Sequence, residues 1–249
     1  MFSRVFSAVL VVSLWFGSSW ALAGDSAPSA VVDKLRATLE VPSTGLKIGS
    51  VVVSEFPGVY EVQLIDGPLI YATPKGDYFI VGDMFSVGPA GYVNLAEQRR
   101  DGERVEQLAA VSIDDMIIFS PEGEPRATVT VFTDVSCFYC QKLHKEVPEL
   151  NRRGVEVRYL AYPRAGVESE GYRQLASAWC ATDKQDTLTR LKNRETVAEN
   201  VCPNNPVADQ YMLGQQMGVR GTPAIVTEKG RMIPGYQSAD DLMVTLGLN

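Results

Sequence analysis

Two cysteines separated by two residues, in Cys137-Phe138-Tyr139-Cys140, are the residues of this chain best placed to do chemistry. They follow Thr128 to Thr133, which reads as a buried strand, and they open a segment with helical spacing. A C-x-x-C at a strand-to-helix junction is the pattern of a redox dithiol. Cys137 then starts the helix, where unpaired backbone N–H groups and the positive end of the dipole stabilise an anion. Such a position lowers a thiol pKa from about 8.5 into the range of roughly 3.5–7.5. A pKa near 6 corresponds to about 3.4 kcal/mol of differential stabilisation of the thiolate. Cys137 is therefore expected to be the exposed attacking sulfur. Cys140, nearly one turn on, is expected to be more buried and able to close a disulfide onto Cys137.

The competing chemistry for a C-x-x-C is half of a zinc site, which needs two more ligands at suitable spacing. The other cysteines, Cys180 and Cys202, form no second such pair, and the single histidine, His144, lies on the same helix. No metal or cofactor is expected. His144 is too far along the helix from Cys137 for a direct hydrogen bond, at about 10.5 Å of rise. It stands at i+4 from Cys140 and either assists that thiol or packs. Asp134 either relays a proton or caps the turn. Tyr139, Tyr159 and Tyr162 either line a substrate face or belong to the core. The charged tract from Asp183 to Glu199 reads as a solvated helical face.

The chain has 249 residues and a formal net charge of −7, which argues against a nucleic-acid partner. Met1 to Ala23 reads as a secretory signal: Arg4 is the positive flank, Val5 to Phe16 the apolar run, and Ala21-Leu22-Ala23 the cleavage site. An uncleaved anchor is the alternative, but the run is short for a membrane span and is broken by Gly17-Ser18-Ser19. Export implies an oxidising compartment, which suits an even count of four cysteines.

All four cysteines fall in the second half, so two domains are expected. In the first, Ala30 to Glu40 has helical spacing with Ser29 as N-cap. Strand-like runs follow at Lys47 to Phe56, Val59 to Ile65, Leu69 to Thr73 and Tyr78 to Val87, separated by Pro57-Gly58, Asp66-Gly67-Pro68 and Lys75-Gly76-Asp77. So small a piece needs a partner surface, and its last strand can pair across a two-fold axis. Asn94 to Val111 reads as a linker helix with a capping box at Asn94 and Glu97. Charge nearly all round it suggests a solvated bridge, and Gly102 a weak point or hinge. Strands are then expected at Met116 to Phe119, Thr128 to Thr133, Val155 to Tyr162, Ala224 to Thr227 and Arg231 to Ile233. The helix from Phe138 contains Pro148, expected to kink or end it. Helical segments fill Glu168 to Gly218, and Ser238 to Leu246 closes the chain.

This order resembles the thioredoxin fold, and the whole mature chain resembles the DsbC family of periplasmic protein disulfide isomerases. The matching pieces are Val131-Phe132-Thr133-Asp134 before the dithiol, Lys142-Leu143-His144, Val157 to Arg164, Trp179-Cys180-Ala181, Leu213-Gly214 with Gly218-Val219, Gly221-Thr222-Pro223-Ala224 and Pro234-Gly235-Tyr236. The resemblance implies an α+β chain of four parts. A signal peptide spans 1–23 and a small antiparallel-sheet dimerisation domain 24–93. A linker helix spans 94–114, and a thioredoxin-fold catalytic domain with a helical insertion spans 115–249. It also implies a homodimer whose catalytic domains face a shared apolar cleft.

The family usually holds Gly-Tyr between its cysteines, and here Phe138-Tyr139 stand there. A bulky Phe138 adds apolar contact for unfolded substrates and removes backbone freedom at the helix start. Spacing alone reads Thr222-Pro223 as an ordinary turn; the resemblance implies a cis bond opposite the dithiol, with the Thr222 backbone pairing to an extended substrate. With two cysteines assigned to the dithiol, Cys180 and Cys202 are left to form a structural disulfide.

Three functions compete. One is an isomerase or reductase acting on misfolded or mis-oxidised exported proteins, kept reduced by a membrane thiol reductant of the DsbD type. The second is an oxidase that inserts disulfides. The third is a chaperone-like binder. The leading domain favours the first and third, and the intact C-x-x-C the first two.

Overall fold

Apolar residues recurring through the first half of the sequence gather onto one small antiparallel sheet. The computed structural model describes residues 26–89 and 91–248. The signal segment and the cleavage position after Ala23 lie outside them. Helix α1 (Ser29–Leu39) is followed by β1 (Ile48–Val53), β2 (Tyr60–Leu64), β3 (Leu69–Ala72) and β4 (Phe79–Val81). The strands lie in the order β1-β2-β3-β4, each antiparallel to its neighbour. Leu35 and Leu39 of α1 join Ile48, Val62 and Ile70 in one core cluster.

Two local expectations are corrected here. Ser29 does not cap α1 but is its first residue; Pro28 holds the N-cap position without a side-chain hydrogen bond, and its carbonyl accepts from Val31 and Val32. The expected strand from Tyr78 to Val87 is broken into β4 and β5 (Phe85–Gly88), because Gly82 takes φ +154°, a value that L side chains rarely adopt. The chain divides into two compact units between Gly82 and Asp83.

The second unit begins with an antiparallel ribbon of β5 and β6 (Gly91–Asn94), then α2 (Leu95–Ala109). Asn94 caps α2 by accepting from the Glu97 N–H at 3.0 Å. The Glu97 carboxylate turns to Arg100 and Arg104. The helix is not a solvated bridge. Arg104 is buried and donates to the carbonyls of Met217 (3.2 Å) and Gly230 (3.4 Å). It runs unbroken through Gly102.

A five-stranded sheet follows, built from β7 (Ile117–Phe119), β8 (Ala127–Thr133), β9 (Val155–Ala161), β10 (Ala224–Thr227) and β11 (Met232–Pro234) in the order β11-β10-β8-β9-β7. β8 and β9 are parallel and joined through α3 (Phe138–Arg152); the remaining pairs are antiparallel. Helices α4 (Glu170–Trp179), α5 (Lys184–Lys192) and α6 (Val207–Gln216) lie between β9 and β10, and α7 (Ala239–Leu246) ends the chain. This is the α+β arrangement that the thioredoxin-fold resemblance implies.

Both faces of this sheet are covered, so its central strands read as nearly continuous apolar runs. The two-residue period still sorts them. Val129, Val131, Val157, Tyr159 and Ile225 face one core, with Leu143 and Val147 of α3, Trp179 of α4 and Leu188 of α5. Phe132, Leu160, Ala224 and Val226 face the other, with Met217 and Val219. Gly214 of α6 sits so close to Tyr162 that an added Cβ would come within 2.6 Å of its ring. Pro148 does not end α3, which continues to Arg152. Val147 and Leu150 are buried on either side of it, and that packing offsets the backbone hydrogen bond a proline cannot make.

Candidate active site

Strand β8 ends under the dithiol. The chain leaves it at Asp134, whose carboxylate fixes the turn. One oxygen accepts from the backbone N–H and hydroxyl of Ser136, both at 2.7 Å. The other accepts from the backbone N–H and Nε of Arg164, at 2.9 and 3.2 Å. Burial alone would raise the Asp134 carboxyl; the bonds from Arg164 and Ser136 hold it below the usual carboxylate range. Of its two sequence readings, Asp134 takes the capping one.

The turn delivers Cys137 to the N-cap position of α3, with φ −78° and ψ 119°. Its Sγ–H donates to the Thr222 carbonyl at 3.1 Å. Thr222–Pro223 is a cis peptide bond, and the Pro223 carbonyl accepts from Gly235 N–H at 2.8 Å. Both cysteines are free thiols. The expectation that Cys137 is exposed is corrected: it is 3% exposed, because the Thr222-Pro223 loop closes over it. The exposed groups are its neighbours, Phe138 at 61% and Tyr139 at 55%.

The two thiols are driven in opposite directions. Cys137 is lowered to about 5. The hydrogen bond from the Cys140 thiol is the largest cause, opposed by burial and reinforced by the Thr222 hydroxyl and the Arg164 charge. As a thiol, Cys137 donates to the Thr222 carbonyl, while the buried Thr222 hydroxyl has no hydrogen-bond partner among the described residues. As a thiolate, the sulfur accepts from that hydroxyl instead. Cys140 is raised well above the ordinary thiol value, first by burial and then by donating to Cys137. The site therefore presents one thiolate and holds one proton in reserve beside it.

Phe138 meets the Tyr139 ring edge-on, with centroids 5.4 Å apart, and Tyr139 stacks on Tyr236 at 6.4 Å. Lys142 Nζ lies 4.3 Å over the Tyr236 ring, whose hydroxyl donates to Glu146 at 2.7 Å. Tyr236 belongs to the Pro234-Gly235-Tyr236 piece of the family pattern, but its place beside the dithiol depends on the β11–α7 loop and leaves no local spacing signal. Tyr159 and Tyr162 belong to the core. Tyr159 lies 3.0 Å from His144 Nδ1, and Tyr162 donates to the Val219 carbonyl at 2.8 Å. His144 is buried, with Thr189 Oγ1 3.0 Å from its other ring nitrogen. Burial, then the Lys192 charge, lowers it to about 4, so it is neutral at pH 7, packed between Tyr159 and Thr189.

The charged tract from Asp183 to Glu199 is not wholly a solvated face. Lys192, the last residue of α5, is 2% exposed and hydrogen-bonded under the dithiol. Helical spacing marks Lys192 only as one charge among several, because the apolar residues around it come from β8, α3 and β9. Cys180 and Cys202 form a disulfide, with Cα atoms 5.8 Å apart. The loop it closes is tied further by Asn200, which donates to the Cys180 carbonyl at 3.0 Å and to Ser177 Oγ at 2.9 Å.

Two family models match the chain. Residues 22–97 match the disulfide bond isomerase protein N-terminal domain, and residues 114–247 match a thioredoxin-like domain. Among curated proteins, the thiol:disulfide interchange protein DsbC of Salmonella typhimurium is 36% identical over 220 residues, covering 88% of this chain and 87% of the relative. That of Escherichia coli K12 is 34% identical over 198 residues, covering 80% of each. That of Haemophilus influenzae is 32% identical and covers 98% of this chain and 97% of the relative. A solved disulfide interchange protein from Neisseria gonorrhoeae has 30% identity and a TM-score of 0.50, covering 56% of this chain and 98% of its own.

Proposed function

Because the chain belongs to the DsbC family of thiol:disulfide interchange proteins, we propose that it is a periplasmic disulfide isomerase and reductase acting on exported proteins with incorrect disulfides. The observation that carries the chemistry is the opposed pair: Cys137 lowered to about 5 and Cys140 raised and buried. Cys137 attacks a substrate disulfide and forms a mixed disulfide. A substrate thiol then attacks that bond and leaves the protein reshuffled, or Cys140 attacks Cys137 and leaves the substrate reduced and the dithiol oxidised. Phe138, Tyr139, Thr222 and Pro223 form the substrate-binding face. The exposed rings supply apolar contact, and the Thr222 backbone pairs with an extended chain. Cys180–Cys202 is a structural staple whose sequence separation of 22 is worth about 3 kcal/mol on the chain-entropy model.

The same reading assigns a signal peptide cleaved after Ala23, a dimerisation domain over 24–93, a linker helix over 94–114 and a catalytic domain over 115–249. It assigns a homodimer kept reduced by a membrane donor of the DsbD type. Two variants test the division of labour, each run on a scrambled protein and on insulin reduction. C137A is expected to lose both activities. C140A is expected to lose insulin reduction, keep some reshuffling and accumulate covalent substrate complexes on a non-reducing gel. Complexes trapped by C137A instead reverse the roles. Retention of scrambled-substrate recovery by both variants overturns the thiol mechanism.

A further inference from the structure

Lys192 reaches from the last residue of α5 into the floor of the dithiol site. Its ammonium donates to Thr133 Oγ1 and, at 3.1 Å, to the Asp134 carbonyl, both at the end of β8. Around it lie Thr133 and Asp134 of that strand end, Cys137 at the N-cap of α3, Cys140 and His144 within α3, and the Tyr159 ring of β9, 5.8 Å from Nζ. Among the described residues no carboxylate oxygen lies within ion-pair distance of it. The nearby Asp134 carboxylate is committed to Arg164 and Ser136. A buried ammonium without its own carboxylate is costly, by several kcal/mol. The anions that can form beside it are the two thiolates. Cys137 already has Cys140, Thr222 and Arg164 to stabilise its charge. Cys140 has the Asp134 backbone N–H, the Thr222 hydroxyl and Lys192.

We propose that Lys192 is a positioning residue for the resolving step, its buried cation stabilising the Cys140 thiolate that must form before Cys140 can attack. In the mixed disulfide, Cys137 is bonded to substrate and no longer accepts the Cys140 proton. Cys140 gives up that proton to solvent, and its sulfur attacks Cys137 Sγ. The Cys137–substrate bond breaks as the Cys137–Cys140 bond forms, and the departing substrate thiolate takes up a proton. The dithiol loses two electrons and the substrate disulfide gains them. The Lys192 cation persists through the step: burial lowers it to about 8, still mostly charged at neutral pH, and each neighbouring thiolate raises it.

This rests on the dithiol reading above, and its test separates the two. Reduced full-length protein is mixed with oxidised glutathione in a stopped-flow, and the formation and decay of the Cys137 mixed disulfide are followed by acid quench and mass spectrometry. K192M is expected to form the adduct at the wild-type rate and resolve it about tenfold more slowly, the factor of one pKa unit. Its resolution should also require higher pH. K192R, which keeps the cation, is expected to resolve near the wild-type rate. Replacing a buried charge by an apolar residue of similar volume is often neutral for stability. If K192M does not fold, K192Q carries the same comparison. Adduct that forms and resolves equally fast without the cation overturns the role of Lys192. So does K192R as slow as K192M. Failure of any protein, wild type included, to form adduct at Cys137 overturns the dithiol reading itself.

Discussion

At the scale of residues, the reactivity of Cys137 rests on a hydrogen-bond exchange at Thr222. The neutral thiol uses the Thr222 carbonyl, and the thiolate uses the Thr222 hydroxyl. T222V removes that donor and keeps the volume. A hydrogen bond to a charged group is worth about 1.5–3 kcal/mol, so T222V should raise the Cys137 midpoint by about 1–2 units from about 5. Thiolate ultraviolet absorbance against pH measures it, and an unchanged midpoint removes Thr222 from the account. The same shift makes the stability of the reduced protein depend on pH. The folded value lies below the unfolded thiol value of 9.0, so the contribution is complete above about pH 9 and is lost as pH falls through about 5. His144, lowered from 6.5 to about 4, also costs stability in acid, since the unfolded chain takes up that proton first. It is present in both redox forms and cancels in their difference. The urea midpoint of the reduced protein, taken relative to that of the oxidised protein, should therefore fall as pH falls from about 9 to about 5, and a difference independent of pH would contradict a lowered Cys137.

At the scale of elements, α2 is held where Gly230 meets Asp101. Gly230 takes φ +81° in the turn between β10 and β11, and an added Cβ would stand 1.8 Å from the Asp101 carbonyl oxygen. Gly218 takes φ +85° with nothing within 4 Å of its missing Cβ, so G218A carries backbone strain alone. G230A should cost more than G218A by about 1–3 kcal/mol, the usual range for forced overpacking. Equal denaturation midpoints for the two would mean that α2 does not pack there. This contact also shows where the sequence is readable and where it is not. Local signals were legible: the redox pair at a strand-to-helix junction, Asn94 as a helix cap, the closing helix after Ser238, and the hairpin turns. What escaped depends on residues far apart in the chain. Arg104 reads as one charge on a polar helix until Met217 and Gly230 supply its acceptors, 113 and 126 residues away. Lys192 reads as solvated until Thr133 and Asp134 do the same. Cys137 reads as exposed because its cover, the Thr222 loop, is 85 residues distant. Pro148 reads as a kink or a helix end because propensity counts the missing hydrogen bond and not the buried Val147 and Leu150 beside it.

At the scale of the whole molecule, the first unit leaves apolar surface open. Phe79, Ile80 and Val81 of β4 are all exposed, with Ile80 at 69%, and β4 lies at the end of its sheet order. An apolar strand at a sheet edge is a template for pairing with another chain. Pairing β4 with a second copy across a two-fold axis closes both edges and covers these side chains. The sheet's own core is small, a cluster of eight buried residues among those described, so the added burial matters to its stability. Size-exclusion with light scattering on residues 24–249 should therefore give a dimer at micromolar concentration. I80K places a charge in the proposed interface without touching the buried cluster, and should shift the protein toward monomer. The groups that tune Cys137 and Cys140 all belong to the second unit, so I80K should keep the low Cys137 midpoint while it loses the dimer. A wild-type monomer at that concentration refutes the interface. A dimer that survives I80K unchanged places the contact elsewhere than β4.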